Sequence, residues 1–198
     1  MKHVVILAHP NPASFNASVA QAYALAATAL GHNVLIRNLY ALDFDPRLQA
    51  LELPFDENFT PGADVVAERA LLADADVYAL VYPLWLTAPP AMMKGYLERV
   101  FGFGFAYGRE GHGSEPLLTG KRLISFSSSG APLNWVEESG AMQAIRALFD
   151  SHFAAVCGLT SVDHLHFGHI VSGIRTDAVL GMLDQVGKSV RTHFGRLQ

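Results

Sequence analysis

The run Val77-Tyr78-Ala79-Leu80-Val81-Tyr82 decides the fold. It shows no alternation between inward and outward residues. A strand that is apolar on both faces belongs in the middle of a parallel sheet covered by helices on either side. Similar short runs rich in Val, Ile and Leu lie before it at 4–8 and 34–36, and after it at 123–126 and 159–167. Between these runs the period becomes helical. Phe15, Val19, Tyr23, Ala26 and Leu30 share one face and stop at Gly31. Val179, Met182, Val186, Val190, Phe194 and Leu197 do the same near the end, and residues 64–73, 91–101 and 138–156 supply three more helices. Five βα units in strict alternation predict an α/β fold, an open doubly wound five-stranded parallel sheet with helices on both faces.

Composition agrees. The 198 residues are 51% apolar and 16% charged, which excludes disordered and collagen-like classes. A chain of this size buries roughly 70% of its unfolded surface, enough for one domain over 1–198 of radius about 16 Å. A net charge of −4 gives no nucleic-acid footprint. The single cysteine, Cys157, closes an apolar helix and reads as an inert buried thiol. No apolar run approaches the roughly 20 residues of a membrane span, and residues 1–8 are too short for a signal-peptide core. A cytoplasmic protein is expected. The irregular stretches 40–62 and 102–120 are long enough to carry function or partner contacts.

In an open α/β sheet, ligands bind beyond the carboxyl ends of the strands. The ends to inspect are 9–16, 83–90, 127–135 and 166–172, and the first three carry candidate chemistry. The first is His9-Pro10-Asn11-Pro12-Ala13-Ser14-Phe15-Asn16. The free N–H groups at a helix start there, with the imidazole of His9 and the amide of Asn16, suit a phosphate; Ser14 also serves as a plain N-cap. The second, Pro83-Leu84-Trp85-Leu86 through Pro89-Pro90, puts a flat apolar wall in a proline-stiffened loop. That suits a heteroaromatic ring, and it equally describes a tryptophan capping the core. The third, Ser127-Ser128-Ser129-Gly130 through Asn134-Trp135, brings small residues that let a backbone approach a ligand, though alone it is ordinary turn chemistry. Together the three fit one flat, phosphorylated aromatic ligand, the shape of a flavin nucleotide. Fixed donors from the second and third loops are expected to stabilise an anionic reduced ring.

Here the sequence resembles the flavodoxin-like NAD(P)H:quinone oxidoreductases, the DT-diaphorase family. The resemblance is carried by His9-Pro10 with Ser14-Phe15-Asn16, by Pro83-Leu84-Trp85 through Pro90, and by Lys94-Gly95, Glu98-Arg99-Val100-Phe101 and Phe105-Ala106-Tyr107. It is collinear from residue 3 to about residue 159. It implies strand order 2-1-3-4-5, a non-covalent flavin (FAD preferred, FMN possible), NAD(P)H as co-substrate, a quinone-like acceptor and a homodimer. By motif, His9, Ser14, Phe15 and Asn16 match phosphate-side contacts. Pro83, Leu84, Trp85 and Leu86 match the isoalloxazine loop, and Ser127, Ser128, Ser129 and Gly130 match the loop at the other ring edge. Tyr107 matches an aromatic given to the partner subunit's pocket.

The departures from the family pattern bear on the chemistry. Where the best-known members carry a tyrosine near the flavin and a histidine six residues later, this chain has Trp135 and Ala141. Tryptophan accepts no hydrogen bond and alanine transfers no proton. Their work falls to backbone amides, water or Asn134, so Trp135, Asn134 and Tyr107 are the candidate residues around the reacting ring. Arg109 stands in place of a second pocket tyrosine. His164 and His166 share a strand face but lack a fourth ligand, so no metal is expected. The glycines at 102–108 follow a helix and do not form a dinucleotide fingerprint. With no G-x-S-x-G elbow, the serine run makes a poor hydrolase nucleophile. Two further readings stand beside quinone reduction: an azo, nitro or flavin reductase of the same fold, and a regulatory flavoprotein subunit of a transporter in contact with a membrane partner. The aromatic residues of α-helical segment 91–101 and of Phe103, Phe105 and Tyr107 are expected to be anchors that reach away from their own core to a second subunit.

Overall fold

The computed structural model describes residues 1–54, 57–110 and 113–195. Five parallel strands, β1 (Lys2–Leu7), β2 (Asn33–Asn38), β3 (Val77–Pro83), β6 (Arg122–Ser128) and β7 (Thr160–Phe167), form one sheet in the order β2-β1-β3-β6-β7. Counted among themselves, these strands run 2-1-3-4-5. The central β3 is buried at all seven positions, as a strand apolar on both faces must be.

Alternate residues of each strand feed two cores. Val4, Ile6, Tyr78, Leu80 and Leu123 face α3 (Ala91–Val100) and α6 (Phe153–Cys157), where Met93, Tyr96, Leu97 and Ala154 meet them. Val5, Leu7, Ala79, Val81, Ile124 and Phe126 face α1 (Phe15–Ala29) and α7 (Thr176–Phe194), meeting Val19, Tyr23, Val186 and Val190. Helix α2 (Ala63–Leu72) adds Val65 and Leu72 to the first core. Helix α1 starts where expected, with Ser14 Oγ accepting from Ala17 N at 3.1 Å, and ends at Gly31, whose φ of +78° suits a glycine stop.

Three expectations change. Segment 102–120 is not wholly irregular: it contains an antiparallel hairpin, β4 (Tyr107–Glu110) with β5 (Gly113–Pro116). The helix expected over 138–156 begins earlier and is broken, running as α4 (Leu133–Glu138), α5 (Ala141–Ile145), a π-helical stretch over Arg146–His152, and α6. The aromatics after α3 fold onto their own chain: Phe103 packs on Phe59 at 5.2 Å, and Phe105 lies 5.9 Å from Phe101 and under the Arg69 guanidinium. Met93, Tyr96, Leu97, Val100 and Phe101 of the α3 region are likewise buried within the chain.

Segment 39–62 is laid against α3 by a close backbone approach. A Cβ on Gly95 would sit 2.1 Å from the Pro46 carbonyl oxygen, so only glycine fits there. The segment is then fastened by Arg99. Its guanidinium donates to Glu52 (2.8 and 2.7 Å), to Asp64 (2.6 and 2.9 Å) and to the Asp45 carbonyl, and it lies 4.8 Å over the Phe44 ring. Among the described residues no helix is long and apolar enough to cross a membrane.

Candidate functional site

At the carboxyl ends of β1, β3 and β6 the chain forms a cleft lined by His9, Phe15, Asn16, Pro83, Leu84, Trp85, Ser128, Ser129, Gly130 and Ile170. The three strand ends singled out from the sequence therefore meet in one place. Ser128 Oγ donates to Asn16 Oδ1 at 2.8 Å and ties the end of β6 to the first turn of α1. That bond leaves the two amide donors of Asn16 to other acceptors. The first-turn N–H groups of α1 have no carbonyl one turn back, and the helix dipole makes this end favourable to an anion. Asn11 N donates to His9 Nδ1 at 3.0 Å, so the neutral His9 ring carries its proton on Nε2 and is a donor. Burial lowers the His9 pKa below its ordinary value and favours that neutral form.

Trp85 stands edge-on to His9, with ring centroids 5.7 Å apart. Its loop is a tight turn. Trp85 N donates to Ala88 O at 2.9 Å, Ala88 N donates back at 3.1 Å, and both central residues, Leu86 and Thr87, have positive φ (50° and 60°). This is the primed turn that glycine or asparagine usually fills. A leucine and a β-branched threonine there store strain, a feature that clusters at ligand clamps. Leu86, at the tip, is fully exposed and lines nothing.

The structure places the remaining predicted residues differently. Ser14 caps α1 and is buried outside the lining, and Ser127 is buried behind it. Asn134 and Trp135 are exposed on α4 and do not line the cleft, because the helix begins at Leu133 and turns Val136, not its neighbours, into the core. Tyr107 borders a different hollow, about 440 Å³, with Leu48, Leu97, Phe101, Phe149 and Phe153. This hollow is larger than the cleft and mostly apolar, with Lys94, Glu98 and His152 also in its lining. Three of the backbone donors expected from the loops are taken: Leu84 N donates to Ser128 O, Trp85 N to Ala88 O and Ser129 N to Phe167 O. What the cleft offers a ligand from its β6 edge is the Ser128 and Ser129 side chains and the Gly130 backbone.

Two contributors come from the fourth strand end, 166–172, to which no role was assigned from the sequence. Ile170 lines the cleft, its N–H donating to Ser129 O at 2.9 Å. Gly168 permits that loop to close, since a Cβ there would lie 2.5 Å from Leu133 N. A glycine directly after a strand end was the available signal. Gly130 differs: a Cβ would meet nothing nearer than 3.9 Å. That leaves open space along the backbone beside the cleft at Gly130.

A family model described as flavodoxin-like fold matches residues 1–190. A protein of Haemophilus influenzae named as an uncharacterized NAD(P)H oxidoreductase is 34% identical over 171 residues, covering 86% of this chain and 85% of its own. NAD(P)H dehydrogenase [quinone] 1 of Cavia porcellus is 28% identical over 201 residues, covering 90% of this chain and 73% of its own. Among solved structures, an NAD(P)H:quinone oxidoreductase from Methanothermobacter marburgensis superposes with a TM-score of 0.86 at 22% identity, over 100% of this chain and 99% of its own, a likeness of fold.

Proposed function

The chain belongs to the flavodoxin-like fold family, and on that premise we propose that it is a flavin-dependent NAD(P)H:quinone oxidoreductase acting as one flavin-binding domain over 1–198. The observation that carries the reading is the convergence of the α1 helix start, the Trp85 wall and the Ser128-Ser129-Gly130 edge in one cleft. A bound flavin would supply the two-electron redox chemistry between NAD(P)H and the acceptor. The chain supplies the rest. His9 Nε2–H, the Asn16 amide and the first-turn N–H groups of α1 hold the phosphate. Trp85 and Leu84 give the ring an apolar wall that excludes water on one side, and Phe15 and Ile170 close the neighbouring sides. For the form of flavin we propose FAD, in keeping with the quinone-reductase resemblance, and a cytoplasmic location belongs to the same proposal.

A homodimer is the assembly we propose. Its support is the open apolar hollow beside Leu48, Leu97, Phe101 and Tyr107, where a second copy would cover exposed Leu48 and Leu148 and bring Tyr107 toward the neighbouring cleft. Mixing two inactive variants, one with Trp85→Ala and one with Tyr107→Ala and Phe105→Ala, should restore activity once subunits exchange. No recovery despite demonstrated exchange means that each chain builds its site alone.

The test of the function is direct. The purified protein should carry one flavin per chain, bleach under NAD(P)H without oxygen, and regain colour on adding a quinone. Weighing the released cofactor decides FAD against FMN. Ser14→Ala with Asn16→Ala removes the helix cap and the bridge to Ser128, and should weaken flavin binding about tenfold or more while the fold survives. Unchanged occupancy in that variant refutes the placement. Faster turnover with azo or nitro acceptors than with any quinone would move the protein to the neighbouring reductase class, and copurification with a membrane protein without turnover would make it an ancillary subunit.

A further inference from the structure

Behind the cleft, on the α6 side of the sheet, lies a row of buried polar side chains of which only the last, Ser129, borders the cleft. Ser125↔His164 and Ser127↔His166 are register partners on β6 and β7, so serines and histidines interleave on one face. Ser125 Oγ donates to Asp150 Oδ1 at 2.7 Å, and His164 Nδ1 meets Asp150 Oδ2 at 2.5 Å. His164 Nε2 lies 2.7 Å from Ser127 Oγ, which lies 2.8 Å from His166 Nδ1. His166 Nε2 lies 3.0 Å from Ser129 Oγ. Ser129 borders the cleft. The line is unbroken from Asp150 to the ligand site.

Asp150 reaches this face because of the π-helical stretch. An extra residue in the turn rotates the residues after it by about 100° relative to an uninterrupted α-helix. Asp150 and Ser125 are 4% and 0% exposed, so the inner end of the line has no direct route to solvent. Two other groups face it. Arg146 donates to the His164 carbonyl at 3.3 Å, and Tyr82, on β3, sits 6.3 Å ring to ring from His164. The Tyr82 hydroxyl is the buried side-chain polar atom that, among the described residues, has no hydrogen-bond partner.

Counting protons along the line gives two arrangements. In the first, Asp150 is ionised, His164 carries its proton on Nδ1 and His166 on Nδ1, and Ser127 and Ser129 donate to His164 and His166. In the second, every bond is reversed. His166 carries its proton on Nε2, Ser127 donates to His166 Nδ1, His164 Nε2 donates to Ser127, and Ser129 turns to the Ala131 carbonyl, 3.0 Å away. The second arrangement holds one more proton, shared by Asp150 and His164. Passing between them moves the Ser129 proton to His166, the His166 Nδ1 proton to Ser127 and the Ser127 proton to His164, while Ser129 takes a replacement from the cleft.

We propose that Asp150, His164, Ser127, His166 and Ser129 form a dead-end proton relay that stores one proton at the Asp150–His164 pair and exchanges it with the occupant of the cleft through Ser129. The use of that proton rests on the quinone-reductase reading. NAD(P)H delivers two electrons and one proton, and a quinone becomes a hydroquinone only with one proton more. Trp135 and Ala141 cannot hold it, and a backbone N–H donates a hydrogen bond without giving up its proton. Ser129 is the group in contact with the cleft, and the other four position and charge it.

Two measurements separate the relay from the reading it serves. Long-range ¹H–¹⁵N spectra of the histidine rings in the purified protein, recorded over a pH series, should show His166 changing tautomer from Nδ1–H to Nε2–H in the same step in which a proton appears on His164 Nε2. A histidine with a purely structural role keeps its tautomer. His166 fixed in one tautomer, or the two rings changing independently, overturns the relay even if quinone reduction is demonstrated; coupled change sustains it even if the acceptor is something else. In the flavin-loaded enzyme, His166→Gln and Ser127→Ala should slow the half-reaction with quinone by about 100-fold, more than the half-reaction with NAD(P)H, and should lower the solvent isotope effect of the former. Equal slowing of both half-reactions counts against the relay. Should Ser127→Ala fail to fold, Ser129→Ala at the cleft edge and the wild-type spectra still decide.

Discussion

Replacing Arg99 with methionine keeps the length of the side chain and removes its charge from a site where it is 3% exposed. Glu52, 8% exposed, then keeps a buried carboxylate with only the N–H groups of Gln49 (3.1 Å) and Gly62 (3.0 Å) as partners. In the wild type, burial pushes the Glu52 pKa up, but the Arg99 hydrogen bonds and these two N–H donors outweigh it and hold it at about 2. Against an ordinary 4.5, that depression is about 3 kcal/mol of stability at neutral pH, present above pH 4.5 and lost as pH falls through 2. Breaking a buried pair from one side costs about 3–5 kcal/mol, so the two routes agree. For a chain of this length the melting temperature should drop by about 10 °C. Urea unfolding monitored by circular dichroism measures the loss. Acidification should shrink the gap between variant and wild type, because a protonated Glu52 no longer needs Arg99. In a double-mutant cycle, Glu52→Gln should recover at least about 2 kcal/mol in the Arg99→Met background. A loss under about 1 kcal/mol, or strict additivity of the two changes, would show that segment 39–62 is held by packing on Gly95 and not by this ion pair.

Trp85→Ala should shift the flavin absorption spectrum and weaken binding, whereas Trp135→Ala, outside the cleft lining, should leave the spectrum in place; the reverse pattern moves the ring to α4. His3, fully buried between Tyr23 and His32, has its pKa lowered by burial to about 4. The unfolded chain therefore binds the extra proton between pH 6.5 and 4, and stability should fall by up to about 3 kcal/mol as pH drops through that window, most of it abolished by His3→Gln. Gly95→Ala should destabilise by about 2 kcal/mol or more and raise proteolysis within 39–62, since its Cβ would collide with backbone that cannot step aside; a neutral effect means that the segment does not lie on α3.

All five parallel strands were legible to within a few residues because their apolar runs answer to a two-sided core, and β3 is buried at every position. The hairpin Tyr107–Glu110 with Gly113–Pro116 was not, because it buries no alternating apolar face and its sequence reads as turn. Pro132 at the N-cap explains the early start of α4, since the residue before a helix can be a proline that a period count ignores. The cleft was legible as three strand ends, yet not every residue in those stretches reaches it: Leu86, Ser14, Ser127, Asn134 and Trp135 do not, for reasons of turn tip, cap, strand face and helix face.

Strand face is the deeper of these. On a parallel strand buried on both sides, a serine run such as Ser127-Ser128-Ser129 cannot act as one loop: its members alternate, so Ser128 joins Asn16 while Ser127 and Ser129 turn to the histidines. The period-2 rule puts residues 125, 127 and 129 on one face of β6 and 164 and 166 on one face of β7, and the register shift between Leu123 and Ile124 brings the two sets opposite each other. What the rule does not give is Asp150. In a regular helix continued from α5 it would face elsewhere, and only the π-helical register turns its carboxylate onto Ser125 and His164. A carboxylate buried at 4% exposure needs two donors to be tolerated there, and Ser125 and His164 are those two. The broken helix and the polar row on the sheet are therefore one feature: restoring a regular α-helix by deleting one residue between 146 and 149 should swing Asp150 off the sheet and leave His164 without its acceptor.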